Sequence, residues 1–307
     1  MTGLVLLAVL LAWLALPFVP AVREAMRRRD AAPLAIAAQY GEDRRLGPEA
    51  GAPPERGALV ARGGAQATSV APGTLLVAGP ALRGASGLDV GALRVGGVAT
   101  LAERTVVRDR LAAGEAVAVG AGSALSGSVE AGRTLWLAAG CQFERVHAPT
   151  VRVDGGPALT LPPTVPAPLA PLPAEADVRA GRTLVTGDLH LPDGARHAGD
   201  LVVTGDLSLG AGAWVRGSVK AHGDVGIGPD AVIAGSAFAG GDLDVGAQAE
   251  VYGVAAAGAT LRLGPACRVG RPDAPATATG RHVVASGGAV VHGTLWAEEE
   301  GRTAHAA

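Results

Sequence analysis

Apolar and polar residues alternate in short stretches along most of the second half of the chain, and glycines separate the stretches. Four consecutive blocks of 18 residues begin at Gly187, Gly205, Gly223 and Gly241. They read GDLHLPDGARHAGDLVVT, GDLSLGAGAWVRGSVKAH, GDVGIGPDAVIAGSAFAG and GDLDVGAQAEVYGVAAAG. Within a block the apolar residues fall at positions 3, 5, 9, 11, 15 and 17. Two alternate inward side chains are typical of a short strand, and each gap of four takes the chain around a corner.

This pattern predicts an all-β fold, a parallel β-helix or β-solenoid with about 18 residues per three-sided winding. A helical period of 3.6 residues would not produce it. Positions 1 and 13 of the blocks are both glycine. We expect these glycines to lie at corners, where the backbone needs a positive φ or close stacking. The corner glycines are Gly187, Gly205, Gly223, Gly241, Gly199, Gly217, Gly235 and Gly253.

The first half of the chain shows the same alternation in a weaker form, clearest in EAVAVGAGSALSGSVEAG from Glu115. We therefore predict an irregular solenoid over 57–155, a regular one over 178–298 and a tail over 299–307. Residues 156–177 hold seven prolines, which cannot donate to a sheet ladder. They form either a linker between two solenoids or a long loop that extends from a single solenoid.

The N-terminal segment 1–22 contains no charged side chain and is long enough to cross a bilayer as a helix. It includes Leu4, Leu7 and Trp13, and the basic cluster Arg23, Arg27, Arg28 and Arg29 follows it. A cleaved secretory signal instead carries its positive charge before the apolar run and a small-x-small site after it. We predict an uncleaved transmembrane anchor over 1–22 and a tether over 23–56, with everything after the arginines in the cytoplasm.

Composition agrees with a thin core. The chain has 46 Gly and 21 Pro, 3% aromatic residues and 49% apolar residues. So few aromatics argue against a thick core built on large rings, and so much apolar content argues against a disordered chain. Cys141 and Cys267 both fall on position 9, and we expect two buried free thiols. The net charge of -2 gives no basic footprint for nucleic acid.

The ends of such a solenoid are its vulnerable places. Each end presents unpaired backbone groups and an apolar cross-section, which can pair with another copy. After Trp296 no amphipathic helix is visible that would cap the C-terminal end. We therefore predict that the chain associates with itself there, through Val283, Val291 and Leu295.

At these windings the chain resembles the bactofilins, bacterial cytoskeletal proteins that form polymers. The resemblance lies in the tandem units GDLSLGAGAWVRGSVKA, GDVGIGPDAVIAGSAFA and GDLDVGAQAEVYGVAAA, and it extends over 181–297 and, less closely, 115–155. It implies a right-handed β-helix, end-to-end assembly into nonpolar filaments without nucleotide, and a scaffold role at the inner membrane. The implied partners are other copies of the chain, the bacterial inner membrane and unidentified proteins. The anchor, the long first half and the proline insert depart from typical members, so short assemblies are an alternative to filaments.

Candidate catalytic residues are scattered. The histidines of the second half fall at different block positions and give no zinc-like cluster. We predict no enzyme, no catalytic residue, no metal and no cofactor. Two alternatives stay open: a left-handed acyltransferase, because one block has the length of three hexapeptides, and an exported surface solenoid.

A column of carboxylates runs along one corner of the predicted solenoid. Asp188, Asp206, Asp224 and Asp242 occupy position 2 of four successive blocks. Such a column could bind cations. We expect instead that each aspartate bonds the backbone of its own turn.

Overall fold

The computed structural model of the chain describes residues 58–61, 64–67, 75–154, 177–179 and 181–304. Every regular element in these ranges is a β-strand, and they contain no helix long and apolar enough to cross a membrane. The predicted anchor over 1–22 and the tether over 23–56 lie outside the described residues.

The first solenoid is built from strands that pair in parallel with the strand two places further along the chain, as β3 does with β5 and β4 with β6. Its strands are β1 (Ala58–Ala61), β2 (Gly64–Ala67), β3 (Leu75–Ala78), β4 (Ala81–Gly84), β5 (Asp89–Val95), β6 (Val98–Leu101), β7 (Val106–Ala113), β8 (Ala116–Val119), β9 (Ala124–Ala131), β10 (Thr134–Leu137) and β11 (Gln142–Val153).

The second solenoid is more regular, because β14 to β24 each pair in parallel with the strand three places further along. Its strands are β12 (Asp177–Arg179), β13 (Arg182–Val185), β14 (Leu189–Leu191), β15 (Arg196–His197), β16 (Asp200–Val203), β17 (Leu207–Leu209), β18 (Trp214–Val215), β19 (Val219–Ala221), β20 (Val225–Ile227), β21 (Val232–Ile233), β22 (Ala237–Ala239), β23 (Leu243–Val245), β24 (Glu250–Val251), β25 (Ala255–Ala257), β26 (Thr260–Leu263), β27 (Arg268–Val269), β28 (Ala276–Ala285) and β29 (Val290–Thr303).

The winding length follows from the register. Leu207 pairs with Val225, and Leu93 pairs with Leu111, so in both solenoids the partner lies one block length further along the chain. At the start of the first solenoid the step from Leu76 to Leu93 is shorter by a single residue. The prediction of an all-β parallel solenoid, with the winding length that the sequence blocks indicate, is therefore confirmed.

Each winding has three sides, which we number by the second solenoid. Face 1 contains β14, β17, β20, β23 and β26; face 2 contains β15, β18, β21, β24 and β27; face 3 contains β13, β16, β19, β22 and β25. In the first solenoid one long strand turns a corner, since β7 pairs with β9 at Val106–Val107 and again at Arg110–Ala113. The period-2 alternation of buried and exposed residues puts Val, Leu and Ala inside on every face.

The two solenoids meet at their C-terminal ends. Strand β11 runs antiparallel to β29, and all three faces continue across this junction. Phe143 pairs with Gly301 on face 1, Val151 with Val291 on face 2, and Val146 with Leu295 on face 3. The chain therefore forms two oppositely directed solenoids with one continuous apolar core.

The boundaries of the second solenoid differ from the prediction. Residues 299–303 are not a tail, because β29 continues to Thr303 and pairs on both sides. The strand β12 begins at Asp177, which we placed in the proline-rich segment. The rest of that segment, 156–176, lies outside the described residues.

Both cysteines are free and fully buried, as predicted. Cys141 lies in the first solenoid beside the junction, and Cys267 lies in the second. Burial raises the pKa of the Cys267 thiol to about 12. A thiol of this kind behaves as a small core residue and is unreactive at neutral pH.

Candidate functional site

The corner glycines allow successive windings to stack closely. Among the eight predicted corner glycines, only Gly187 and Gly199 have a positive φ, at 87° and 95°. At the other six corner positions a side chain would collide with the winding before it. A Cβ on Gly235, for example, would lie 2.5 Å from Ser218 Oγ and 2.7 Å from the carbonyl carbon of Gly217. Close stacking is therefore the main reason for glycine at these corners.

The aspartates of position 2 form a ladder between windings. The backbone N–H of Asp206 donates to Asp188 Oδ1 over 2.8 Å, and the N–H of Asp224 donates to Asp206 Oδ1 over 2.8 Å. In the same way the N–H of Asp242 donates to Asp224 Oδ1, and the N–H of Thr260 donates to Asp242 Oδ1. Our expectation that each aspartate bonds its own turn was wrong, because each binds the following winding.

The ladder has a structural explanation that needs no cation. The pKa of Asp242 lies below its usual range. The main cause is the hydrogen bond from the Thr260 N–H, and the hydrogen bond from Arg262 is the second. At a neighbouring corner Ser236 N–H donates to Ser218 Oγ over 3.1 Å, so the same device recurs with hydroxyls. Within the described ranges no group of three or more His, Cys, Asp or Glu side chains could hold a metal ion.

A second, buried ladder runs through the first solenoid and ends at the junction. The N–H of Thr105 donates to Ser123 Oγ over 3.1 Å, and the N–H of Cys141 donates to Thr303 Oγ1 over 2.8 Å. The Thr303 hydroxyl in turn donates to the carbonyl of Ala138 over 2.7 Å. Thr303 therefore extends the polar column of the first solenoid from a strand of the second.

The residues that we predicted as a self-assembly contact lie in this closed region. Val283 and Leu295 are fully buried, and Val291 is 2% exposed. Leu295 and Val291 pair with β11, while Val283 lies between β26 and the last strand. The expectation of an open C-terminal end was wrong, because the first solenoid covers it.

Glycine and a phenyl ring fit together at the same interface. The ring of Phe143 occupies the space that a side chain on Gly301 would need. Sequence reasoning missed both Gly301 and Thr303, because neither is a large apolar residue. If the block count is continued past Trp296, they fall on positions 3 and 5, which are the inward positions of a block. The period was therefore the signal that could have found them.

Polar contacts close the junction on its outside. His147 Nδ1 lies 2.8 Å from Thr294 Oγ1, and the guanidinium of Arg145 lies 5.5 Å from the ring centre of Trp296. The ring of His292 lies 3.3 Å from Thr150 Oγ1. Burial is the main cause that lowers the pKa of His292. Contacts of three kinds, apolar, hydrogen-bonded and cation–π, thus join the two ends.

The N-terminal winding of the second solenoid differs from this closed end. Its first strand, β12, pairs antiparallel with β13, and Val178 stands opposite Thr183. Thr183 is buried, whereas Val178 on the same side of the sheet is 62% exposed. His197 occupies an inward position that is Val or Ile in the next windings, and its Nε2 is buried without a hydrogen-bond partner. Burial lowers the pKa of His197.

Comparison with known proteins gives no relative for this arrangement. No family model matches the chain, no curated protein matches it, and no solved structure matches it.

Proposed function

We propose that the chain is a membrane-anchored scaffold protein that assembles with other copies through its solenoid ends and recruits partner proteins at the bacterial inner membrane. The segment 1–22 would supply the anchor as a transmembrane helix, and the solenoids would face the cytoplasm with the right-handed winding of the bactofilins. The protein acts by binding and positioning, without a catalytic centre.

The junction is the observation that supports assembly through ends. Two winding ends of this sequence join by strand pairing on all three faces, through β11 and β29. A join of this kind needs an apolar cross-section and a free strand edge, and it needs no nucleotide. Because the C-terminal ends are already used within the chain, we assign contact between copies to the N-terminal ends.

Val178 is the residue that we assign to this contact. It lies on the inward side of β12, where the equivalent side chains of the following strands are buried, yet it is 62% exposed. A second winding end placed against β12 would bury it, and burial of a valine stabilises association by about 1.5 kcal/mol or more.

The test compares assembly of the full chain in detergent with that of two valine variants. We expect wild-type protein to form oligomers that grow with concentration, in the absence of nucleotide, by analytical ultracentrifugation and electron microscopy. Val178→Lys should reduce assembly strongly, because it puts a charge into the contact. Val232→Lys, on the outward side of face 2, should leave assembly unchanged.

A wild-type chain that stays monomeric at high concentration would refute the proposal. Equal assembly of the Val178→Lys and wild-type proteins would refute the assigned contact. A reporter fused after Ala307 tests the topology, and a periplasmic reporter would favour the exported surface solenoid instead.

A further inference from the structure

Two outward rows of the solenoid, one on face 1 and one on face 2, carry opposite charge. On face 1 the outward row at position 2 carries five carboxylates among seven residues. This acidic row consists of Asp188, Asp206, Asp224, Asp242, Thr260, His282 and Glu300. This acidic row therefore gives face 1 of the second solenoid a strip of negative charge.

Face 2 has the opposite character. One outward row crosses eleven strands and the junction, and it contains four arginines and a single carboxylate. This face 2 row consists of Arg83, Thr100, Ala118, Trp136, Arg152, Val290, Arg268, Glu250, Val232, Trp214 and Arg196. Arg268 binds the one carboxylate, Glu250, over 3.3 Å. Arg216 adds another exposed cation at the adjoining corner.

Two exposed tryptophans lie in the same row. Trp136 is 41% exposed and Trp214 is 37% exposed, although the whole chain has only 3% aromatic residues. The guanidinium of Arg196 lies 5.0 Å from the ring centre of Trp214. With a strand spacing of about 4.8 Å, the two tryptophans are roughly 29 Å apart in a row of about 48 Å.

We propose that face 2 lies flat against the surface of a bilayer rich in anionic phospholipid. Guanidinium groups bind phosphate through paired hydrogen bonds, and tryptophan favours the headgroup region of a membrane. The wide spacing of the anchoring groups along the sheet suits an extended planar surface, and it does not suit a compact ligand. Face 1 points its carboxylates in another direction, which avoids repulsion from the anionic headgroups.

This inference rests on the proposed function only in that the anchor would hold the solenoids beside the membrane. The contact itself depends on residues of face 2 and on lipid charge. The two can therefore fail separately, and the experiment is designed to distinguish them.

The experiment places a fluorescent reporter on each face of the full chain in lipid nanodiscs. Val232→Cys puts an environment-sensitive dye on face 2, and Ser208→Cys puts it on face 1 as the matched control. The native thiols of Cys141 and Cys267 are fully buried, so the dye reaches the introduced cysteine. We expect a blue shift for the face 2 dye in phosphatidylglycerol nanodiscs and none in phosphatidylcholine nanodiscs. The face 1 dye should not shift in either lipid.

Charge reversal provides the second arm. Each arginine near an anionic surface contributes about fivefold to binding, so Arg83→Glu with Arg152→Glu should weaken the contact by more than about 25-fold. The blue shift should then disappear, as it should when salt is raised to about 1 M. Arg302→Glu, on face 1, should leave it unchanged.

A shift of equal size in both lipids, or a shift of the face 1 dye, would overturn the inference. A face 2 shift that appears without lipid as protein concentration rises would also overturn it, since it would indicate contact between copies. If the chain does not co-purify with nanodiscs of either lipid, the anchor is refuted. Sedimentation with phosphatidylglycerol vesicles then tests face 2 alone, and absence of binding would overturn the inference.

Discussion

The two solenoids share a three-sided cross-section but hold their corners in different ways. In the second solenoid, surface aspartates accept the N–H of the next winding, as Asp188 does from Asp206 over 2.8 Å. In the first solenoid the acceptor is buried and belongs to the following winding. The example is Ser123 Oγ, which accepts the N–H of Thr105. The direction of the ladder and its solvent exposure are both reversed.

This difference decides which solenoid depends on the junction. When each backbone N–H donates to a side chain of the following winding, the N–H of the last winding finds no acceptor in its own solenoid. That N–H belongs to Cys141, and Thr303 from the other solenoid accepts it. The aspartate ladder ends inside its own solenoid, at Thr260. We infer that the first solenoid needs its partner more than the second does.

The largest expected effect comes from Thr303→Val, which removes the hydroxyl and keeps the shape. It leaves the Cys141 N–H and the Ala138 carbonyl without a partner in a buried place, at a cost of about 2–4 kcal/mol. Urea unfolding measures this loss, and Thr303→Ser should retain most of the stability. If the valine variant unfolds with wild-type stability, the buried ladder does not hold the junction.

Close stacking at the corners is common to both solenoids. Comparing alanine variants of two glycines in the second solenoid measures its contribution to stability. Gly235→Ala forces a Cβ against the backbone of Gly217 and should cost about 1–3 kcal/mol. At Gly226 nothing lies within 4 Å of a Cβ, and its φ is not positive. Gly226→Ala should therefore stabilise the protein by about 0.4–1 kcal/mol. Equal effects in thermal unfolding would argue against close stacking.

The surface ladder should respond more weakly. Asp206→Ala removes the acceptor of the Asp224 N–H, and because this corner is exposed we expect a loss of about 1 kcal/mol. Asp206→Asn keeps an acceptor oxygen and should be nearly neutral. A loss from the alanine variant as large as that from Thr303→Val would remove the distinction between surface and buried ladders.

The smallest effect concerns pH and the N-terminal winding of the second solenoid. Burial lowers the pKa of His197 in the folded chain, so the unfolded chain binds its proton more readily. The contribution of neutral His197 to the free energy of unfolding should be fully present above about pH 6.5. It should decrease as the pH drops below that value. His197→Val, the residue found at this position in the next winding, should reduce the slope of stability against pH between about pH 7 and pH 5. An unchanged slope would show that another group is responsible.

Much of this fold could be predicted from local pattern. The inward positions, the winding length and the corner glycines follow from residues that recur once per block, because each winding repeats the same local geometry. The junction between the two solenoids was harder to predict. The period places Gly301 and Thr303 on inward positions, but it does not show that they contact Phe143 and Cys141 of the first solenoid.

The sequence by itself determined a β-solenoid with a thin aliphatic core, glycine corners and a column of aspartates. Only the tertiary structure decided that the C-terminal ends close on each other and that each aspartate binds the next winding. The physical reason is that a repeat specifies contacts between neighbouring windings, which lie close in sequence. The contact between Val146 and Leu295 joins residues far apart in the chain, and no local period encodes it.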